Sequence, residues 1–203
     1  MSKFFRVLLA SAALALCNAA GAAVIDGRIT TIAGPGDEQE LKVARVAFTV
    51  GAGTRLFFDS LVLELTGDLN GDGFITGFDG EMRLYDGATL LISNDDSSVT
   101  YGDGSEHPFD SAFAWDFAEA GTYVVSLGVR GYSDTEALRG YQADKVFQPR
   151  VGYESFGAWR LSLSALSGSV NDVQEIGAEV PEPGSLALFG IGLLGVCWLR
   201  RRR

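Results

Sequence analysis

The middle of this 203-residue chain predicts an all-β domain closed as a β-sandwich, and three observations carry the prediction. From Val24 onward, short apolar or alternating runs are broken every few residues by Gly, Asp, Asn and Ser, the punctuation of strands and turns. Two runs alternate with the period of a half-buried strand: Leu61, Leu63 and Leu65 against Val62, Glu64 and Thr66, and Arg160-Leu161-Ser162-Leu163-Ser164. The stretch between the two chain ends, residues 24–180, is long enough for about eight strands to close as two packed antiparallel sheets.

Taken in order, strands are expected at 24–32, 44–50, 56–65, 81–85, 89–93, 111–116, 122–129 and 158–165. Asp86-Gly87 between two of these runs is a hairpin signal, since glycine accepts the positive φ that such turns need. Ser133-Asp134-Thr135-Glu136 has the spacing of a capping box, so a short helix is expected over 134–140. That helix interrupts an excursion, 130–157, that carries Tyr132, Tyr141, Phe147, Tyr153 and Phe156. Five aromatics there either stack on sugar faces or pin a long loop onto the domain. The ectodomain is thus expected over 24–166, followed by a polar, acidic linker over 167–179.

The two ends carry most of the unbroken hydrophobicity. Residues 1–22 open with Lys3 and Arg6, continue as an apolar run from Val7 to Cys17, and finish in small residues, the three regions of a secretory signal peptide. The A-x-A pattern at Ala20 and Ala22 places signal-peptidase cleavage after Ala22, with Ala23 as the neighbouring alternative. The apolar run is too short for a permanent span, which takes about 20 residues. Lipoprotein processing at Cys17 is the other alternative, but Leu16 stands before it where a lipobox resemblance would want Gly, Ala or Ser. At the other end Val180-Pro181-Glu182-Pro183 precedes an uncharged segment, 185–199, and then Arg200, Arg201, Arg202 and Arg203. A short transmembrane helix closed by a cytoplasmic stop-transfer cluster follows from that order. Gly190, Gly192 and Gly195 on the segment permit close helix approach. An ordinary single-pass tail anchor is the alternative.

The V-P-E-P motif, short apolar helix and arginine cluster together resemble a PEP-CTERM sorting signal, covering about the last 24 residues. The resemblance implies an exosortase-type processing protease that removes the tail. It also implies a Gram-negative envelope, an inner-membrane-anchored precursor that touches the membrane only transiently, release to the envelope or medium, and commonly a species that makes extracellular polysaccharide, which makes exopolysaccharide a candidate partner. Two prolines flanking Glu182 keep the backbone extended and strip amide donors from it, which suits protease access. Loss of both ends would remove Cys17 and Cys197, the chain's two cysteines, leaving no disulfide or thiol chemistry in the ectodomain.

A second resemblance covers roughly residues 42–166. Its carriers are the run from Leu84 through Asp86-Gly87 to Asn94-Asp95-Asp96, then Ala120-Gly121-Thr122-Tyr123-Val124-Val125-Ser126, then Gly157-Ala158-Trp159-Arg160-Leu161-Ser162-Leu163. In that order they resemble the bacterial pre-peptidase C-terminal domain, a jelly-roll-like sandwich. The chain departs from its pattern by the 130–157 excursion and by a longer acidic loop before Leu84.

In that loop, Asp68, Asn70, Asp72, the Phe74 carbonyl, Thr76 and Asp79 occupy positions 1, 3, 5, 7, 9 and 12, with glycine at position 6. That is the ligand spacing of an EF-hand-type Ca2+ loop, with Asp where the last ligand is usually Glu. The short final arm resembles dockerin loops and implies affinity of extracellular grade. Asp-Asn-Gly runs also make plain hairpin turns, and the flanking runs are strand-like. From Asp59 to Glu119, however, there are 14 acids and one base, Arg83, a repulsion that a cation would relieve. Asp95, Asp96, Asp103 and Asp110 form a second candidate cluster, or a solvated rim.

Residues 24–180 hold 25 acidic and 10 basic side chains, which repels phosphate backbones and speaks against nucleic acid. His107 is the chain's one histidine and no nucleophile elbow, P-loop or dinucleotide fingerprint occurs. A pair of carboxylates could in principle serve glycoside hydrolysis, which needs two acids at the right separation, but the sequence offers no obvious substrate cleft. The expected function is therefore a non-enzymatic exported protein with structural calcium. A carbohydrate-binding module or a calcium-dependent adhesin are the alternatives.

Overall fold

The computed structural model describes residues 21–34, 38–97 and 107–177. The expected signal peptide up to residue 20, Asp103, the 180–183 motif, the 185–199 helix and the terminal arginines lie outside them. Eleven strands and one short helix form within the described residues. They are β1 (Ala22–Ala33), β2 (Gln39–Lys42), β3 (Ala44–Val50), β4 (Thr54–Leu61), β5 (Gly80–Asp86), β6 (Thr89–Asn94), β7 (Ala112–Phe117), β8 (Gly121–Val129), α1 (Asp134–Arg139), β9 (Tyr141–Gln142), β10 (Phe156–Ser167) and β11 (Val170–Glu175). A six-stranded sheet runs β7-β4-β10-β1-β2-β9 and a five-stranded sheet β11-β3-β8-β5-β6. Every pairing is antiparallel. Among the described residues no helix is long and apolar enough to cross a membrane.

One core takes side chains from both sheets: Ile29, Leu56, Phe58, Trp159 and Leu161 from the first, Phe48, Met82, Leu84, Val125 and Leu127 from the second. Phe48 on β3 meets Phe58 on β4 at 5.5 Å and Phe117 on β7 edge-on at 5.9 Å, the tilted arrangements that aromatic quadrupoles favour. Along β10, Leu161 and Leu163 are buried while Arg160, Ser162 and Ser164 are partly exposed, so the expected alternation holds there. Gly27 on β1 pairs with Trp159 on β10, and a Cβ at Gly27 would lie 2.3 Å from the indole ring. The missing side chain is what allows that ring to be fully buried.

The expected 56–65 strand is corrected by the structure. Leu61, Val62, Leu63 and Glu64 are all buried and Leu65 is half exposed, so no alternation survives past Leu61. The reason is hydrogen bonding: Asp110 Oδ1 accepts the amides of Val62 at 2.6 Å and Leu63 at 3.2 Å. The chain leaves the ladder, and Leu63 bridges to Gly77 instead. The 167–179 linker is also corrected, because β11 pairs with β3 and its Val170 and Val173 pack against the core. Asn171, Asp172 and Gln174 are exposed, as an edge strand permits, and Val170 and Val173 stand three residues apart across a register shift, so the segment lacks the two-residue apolar period of a strand.

The capping box is present in full. Ser133 Oγ accepts the Glu136 amide, Glu136 accepts the Ser133 amide at 2.7 Å, and Gly140 ends the helix in the left-handed region at φ 90°. The helix is tied to the second sheet through Asp134, which accepts the Tyr85 hydroxyl at 2.9 Å and Arg83 at 2.7 Å. Arg83 also bridges to Glu81 at 2.7 Å. The Tyr85 hydrogen bond holds the Asp134 carboxyl below its ordinary range, against partial burial and with help from Arg83. Burial pushes both the Tyr85 and Tyr132 phenols well up.

Candidate functional site

The acidic loop is wound tightly by its own backbone amides. Asp68 Oδ1 accepts from Gly71 at 2.7 Å and Asp72 at 3.0 Å, and its Oδ2 accepts from Gly73 at 2.8 Å. Asn70 Oδ1 accepts from Asp72, and Asp72 Oδ1 from Phe74. Gly71 and Gly73 sit at φ 75° and 90°, a region that side-chain-bearing residues enter at a cost. The sequence spacing therefore does bring Asp68, Asn70, Asp72 and the Phe74 backbone into one turn. Carboxylate oxygens that accept amides still have lone pairs to offer a hard cation.

The remaining expected ligands lie elsewhere. Thr76 is fully buried, and its hydroxyl accepts the Ala158 amide at 2.9 Å. Asp79 is almost fully buried, and its Oδ2 meets Arg150 at 2.7 Å and Arg130 at 3.5 Å. Thr76 and Asp79 are thus corrected from loop ligands to packing and ion-pair residues. The strand-like bridge at Gly77 carries the chain out of the loop before position 12 is reached. Among the described residues, no three His, Cys, Asp or Glu side chains converge as a metal centre.

Three residues that spacing does not reveal complete the loop. Glu64, buried at its base, accepts the amides of Leu69 at 2.8 Å, Asn70 at 3.0 Å and Thr76 at 3.1 Å. Its only signal in the sequence is a carboxylate inside an apolar run. Arg160 on β10 donates to the Asn70 carbonyl at 2.8 Å and to Asp26 at 2.8 Å. Arg28 on β1 meets Asp72 Oδ2 at 3.3 Å and lies 4.0 Å from the Phe156 ring centre and 5.2 Å from that of Phe74. Within the acidic segment, Asp72 is therefore paired with Arg28, and Asp79 with Arg130 and Arg150, cations that a count of charges within 59–119 does not include.

The second expected cluster does not assemble as four ligands. Asp110 is buried and holds the Val62 and Leu63 amides, and Asp95 faces Arg130 at 3.6 Å. Asp96 is raised above its ordinary value by partial desolvation and then by the charges of Asp95 and Asp79. Asp103 lies outside the described residues. His107 accepts the Phe109 amide through Nδ1 at 3.2 Å. The excursion aromatics do not share one face: Tyr132 and Phe147 are buried, Phe156 lies under Arg28, and Tyr153 is fully exposed. Tyr132 donates to the Glu81 carbonyl at 2.9 Å, the bond of a pinned loop.

Residues 179–203 match the PEP-CTERM protein-sorting motif. Comparison with curated proteins returns no match. The motif implies an exported precursor, anchored at the membrane and processed by an exosortase in a Gram-negative bacterium.

Proposed function

We propose that the chain is the precursor of a non-enzymatic envelope or extracellular-matrix protein whose ectodomain is a jelly-roll-like β-sandwich of the pre-peptidase C-terminal type, with calcium at the Asp68 loop. The single observation that carries the reading is the sorting motif at residues 179–203. Two antiparallel sheets sharing one core support the sandwich. The prewound turn of Asp68, Asn70 and Asp72 supports the cation, which those three side chains and the Phe74 carbonyl would hold with water completing the shell. With Thr76 and Asp79 engaged elsewhere, affinity falls in the weak extracellular range of roughly 0.1–1 mM. The protein would be delivered through signal peptidase and exosortase and would meet the membrane only while the tail is attached.

Expression in an exosortase-bearing host tests the sorting. The unaltered chain should lose its tail and leave the membrane, and a Pro181→Ala/Glu182→Ala/Pro183→Ala variant should stay membrane-bound at full length. An intact tail on mature unaltered protein would sink the sorting reading. Calcium is tested separately by thermal unfolding with millimolar calcium or chelator, and the rise should vanish in Asp68→Ala.

A further inference from the structure

At one side of the domain the edge strands β6 and β7 of the two sheets come together, and a cavity of about 210 Å³ opens between them and the start of β8. Its walls include Leu91, Trp115 and Tyr123, and its rim carries Asp86, Asp116 and Glu119. Leu91 and Trp115 pack on the core from their inner side, so the aromatic wall is fixed by the fold. The Tyr123 hydroxyl is held by the Glu119 carbonyl at 3.1 Å. Asp116 faces Arg55 at 3.7 Å, both well exposed, and among the described residues Asp86 and Glu119 have no ion pair. The rim is therefore negative. Burial raises the Tyr123 phenol, and the charges of Asp86 and Glu119 raise it further.

We propose that this cavity binds an organic ammonium carried on a compact polyhydroxylated ring, the amino-sugar unit of a polysaccharide. Size sets the first limit, because pockets for drug-sized ligands run about 300–1,000 Å³ and this one admits a single ring. Charge sets the second: three carboxylates against one arginine favour a cation and disfavour an acidic sugar. An ammonium gains from the Trp115 ring that lines the cavity and from charge-assisted hydrogen bonds to a carboxylate. The other two carboxylates accept hydroxyl donors, which a ring sugar supplies and a lysine side chain lacks. The site lies apart from the Asp68 loop in the residues that build it, and does not depend on calcium.

The test uses the full chain, purified in detergent and labelled with 5-fluorotryptophan, whose three tryptophans, Trp115, Trp159 and Trp198, give separate 19F signals. Trp115→Phe assigns the signal. At about pH 6, below the ordinary amine range, glucosamine should shift the Trp115 signal saturably and leave that of buried Trp159 in place. Glucose and methylamine should bind at least about tenfold more weakly, and Asp86→Asn/Glu119→Gln should lower glucosamine affinity by about tenfold. An unmoved Trp159 signal in that variant shows that it has folded. No saturable shift with glucosamine overturns the proposal, and so does an undiminished response in the variant. An equal response to glucose would make the site one for neutral sugars, and an equal response to methylamine one for bare cations; either overturns the amino-sugar assignment.

Discussion

Arg28 on β1 reaches across to the acidic loop and meets Asp72 Oδ2 at 3.3 Å, while its guanidinium lies 4.0 Å from the Phe156 ring centre. The cation in place at Asp72 is thus a side chain, with which a calcium ion bound as proposed above would compete. On the proposed reading, Arg28→Ala raises calcium affinity. Exposed ion pairs contribute about 0.2–1 kcal/mol, so the gain should reach up to about fivefold by calorimetric titration. An affinity lowered by Arg28→Ala would show that Arg28 orders the loop for the ion instead of competing with it.

Truncation separates a spacer from a strand. Ending the chain after Gly168 removes β11, with Val170 and Val173, and bares the edge of β3. Partial burial of two valines gives an expected loss of about 2–4 kcal/mol. Ending it after Gly177 should leave chemical-denaturant stability unchanged. Equal stability of the two truncations would restore the linker.

Gly27→Ala places a methyl group against the Trp159 indole, 2.3 Å from the ring at the unrelaxed position. Overpacking of this kind costs about 1–3 kcal/mol. The change should appear as a lowered midpoint with an altered near-ultraviolet tryptophan signal, and an unshifted midpoint would mean that β1 and β10 separate without cost.

Ser133→Ala removes the acceptor for the Glu136 amide and the hydroxyl that donates to Glu136 at 2.8 Å. Loss of such a cap costs about 1 kcal/mol. Hydrogen exchange in the helix should rise more than in β3 or β8.

Acid should release the same helix. Burial raises Glu136, but the amide and hydroxyl of Ser133 and the Ala143 amide outweigh it and hold the carboxyl below its ordinary value of 4.5. Asp134 is likewise held below 3.8. A lowered folded-state value stabilises the fold above the unfolded value, and that contribution is lost as pH falls through the folded one. Glu40 and Asp96 run the other way: partial burial first, then neighbouring carboxylates, raise them, so their protonation relieves the fold. Melting of wild-type and Glu136→Gln protein compared from neutral pH to about pH 3 should show a gap that is widest above pH 4.5 and closes below it. A gap that widens in acid would reverse the assignment.

Much was legible without coordinates where the controlling interaction is local. Strand positions along β3, β5, β6 and β8, the Ser133 cap and the winding of Asp68 through Gly73 follow from side-chain period, glycine and hydrogen bonds spanning a few residues. The sorting motif is legible for the same reason, since its parts adjoin. Tertiary structure decided the rest. Arg28 and Arg160 reach the loop from 44 and 90 residues away, Asp110 pulls Val62 and Leu63 out of the ladder, and Arg150 takes Asp79 out of the calcium spacing. The cavity beside Trp115 exists only because β6 and β7 end as neighbouring edges. A carboxylate's charge is written in the chain, but its partner is whichever cation or amide the closed sheets bring within reach, and that choice belongs to the fold.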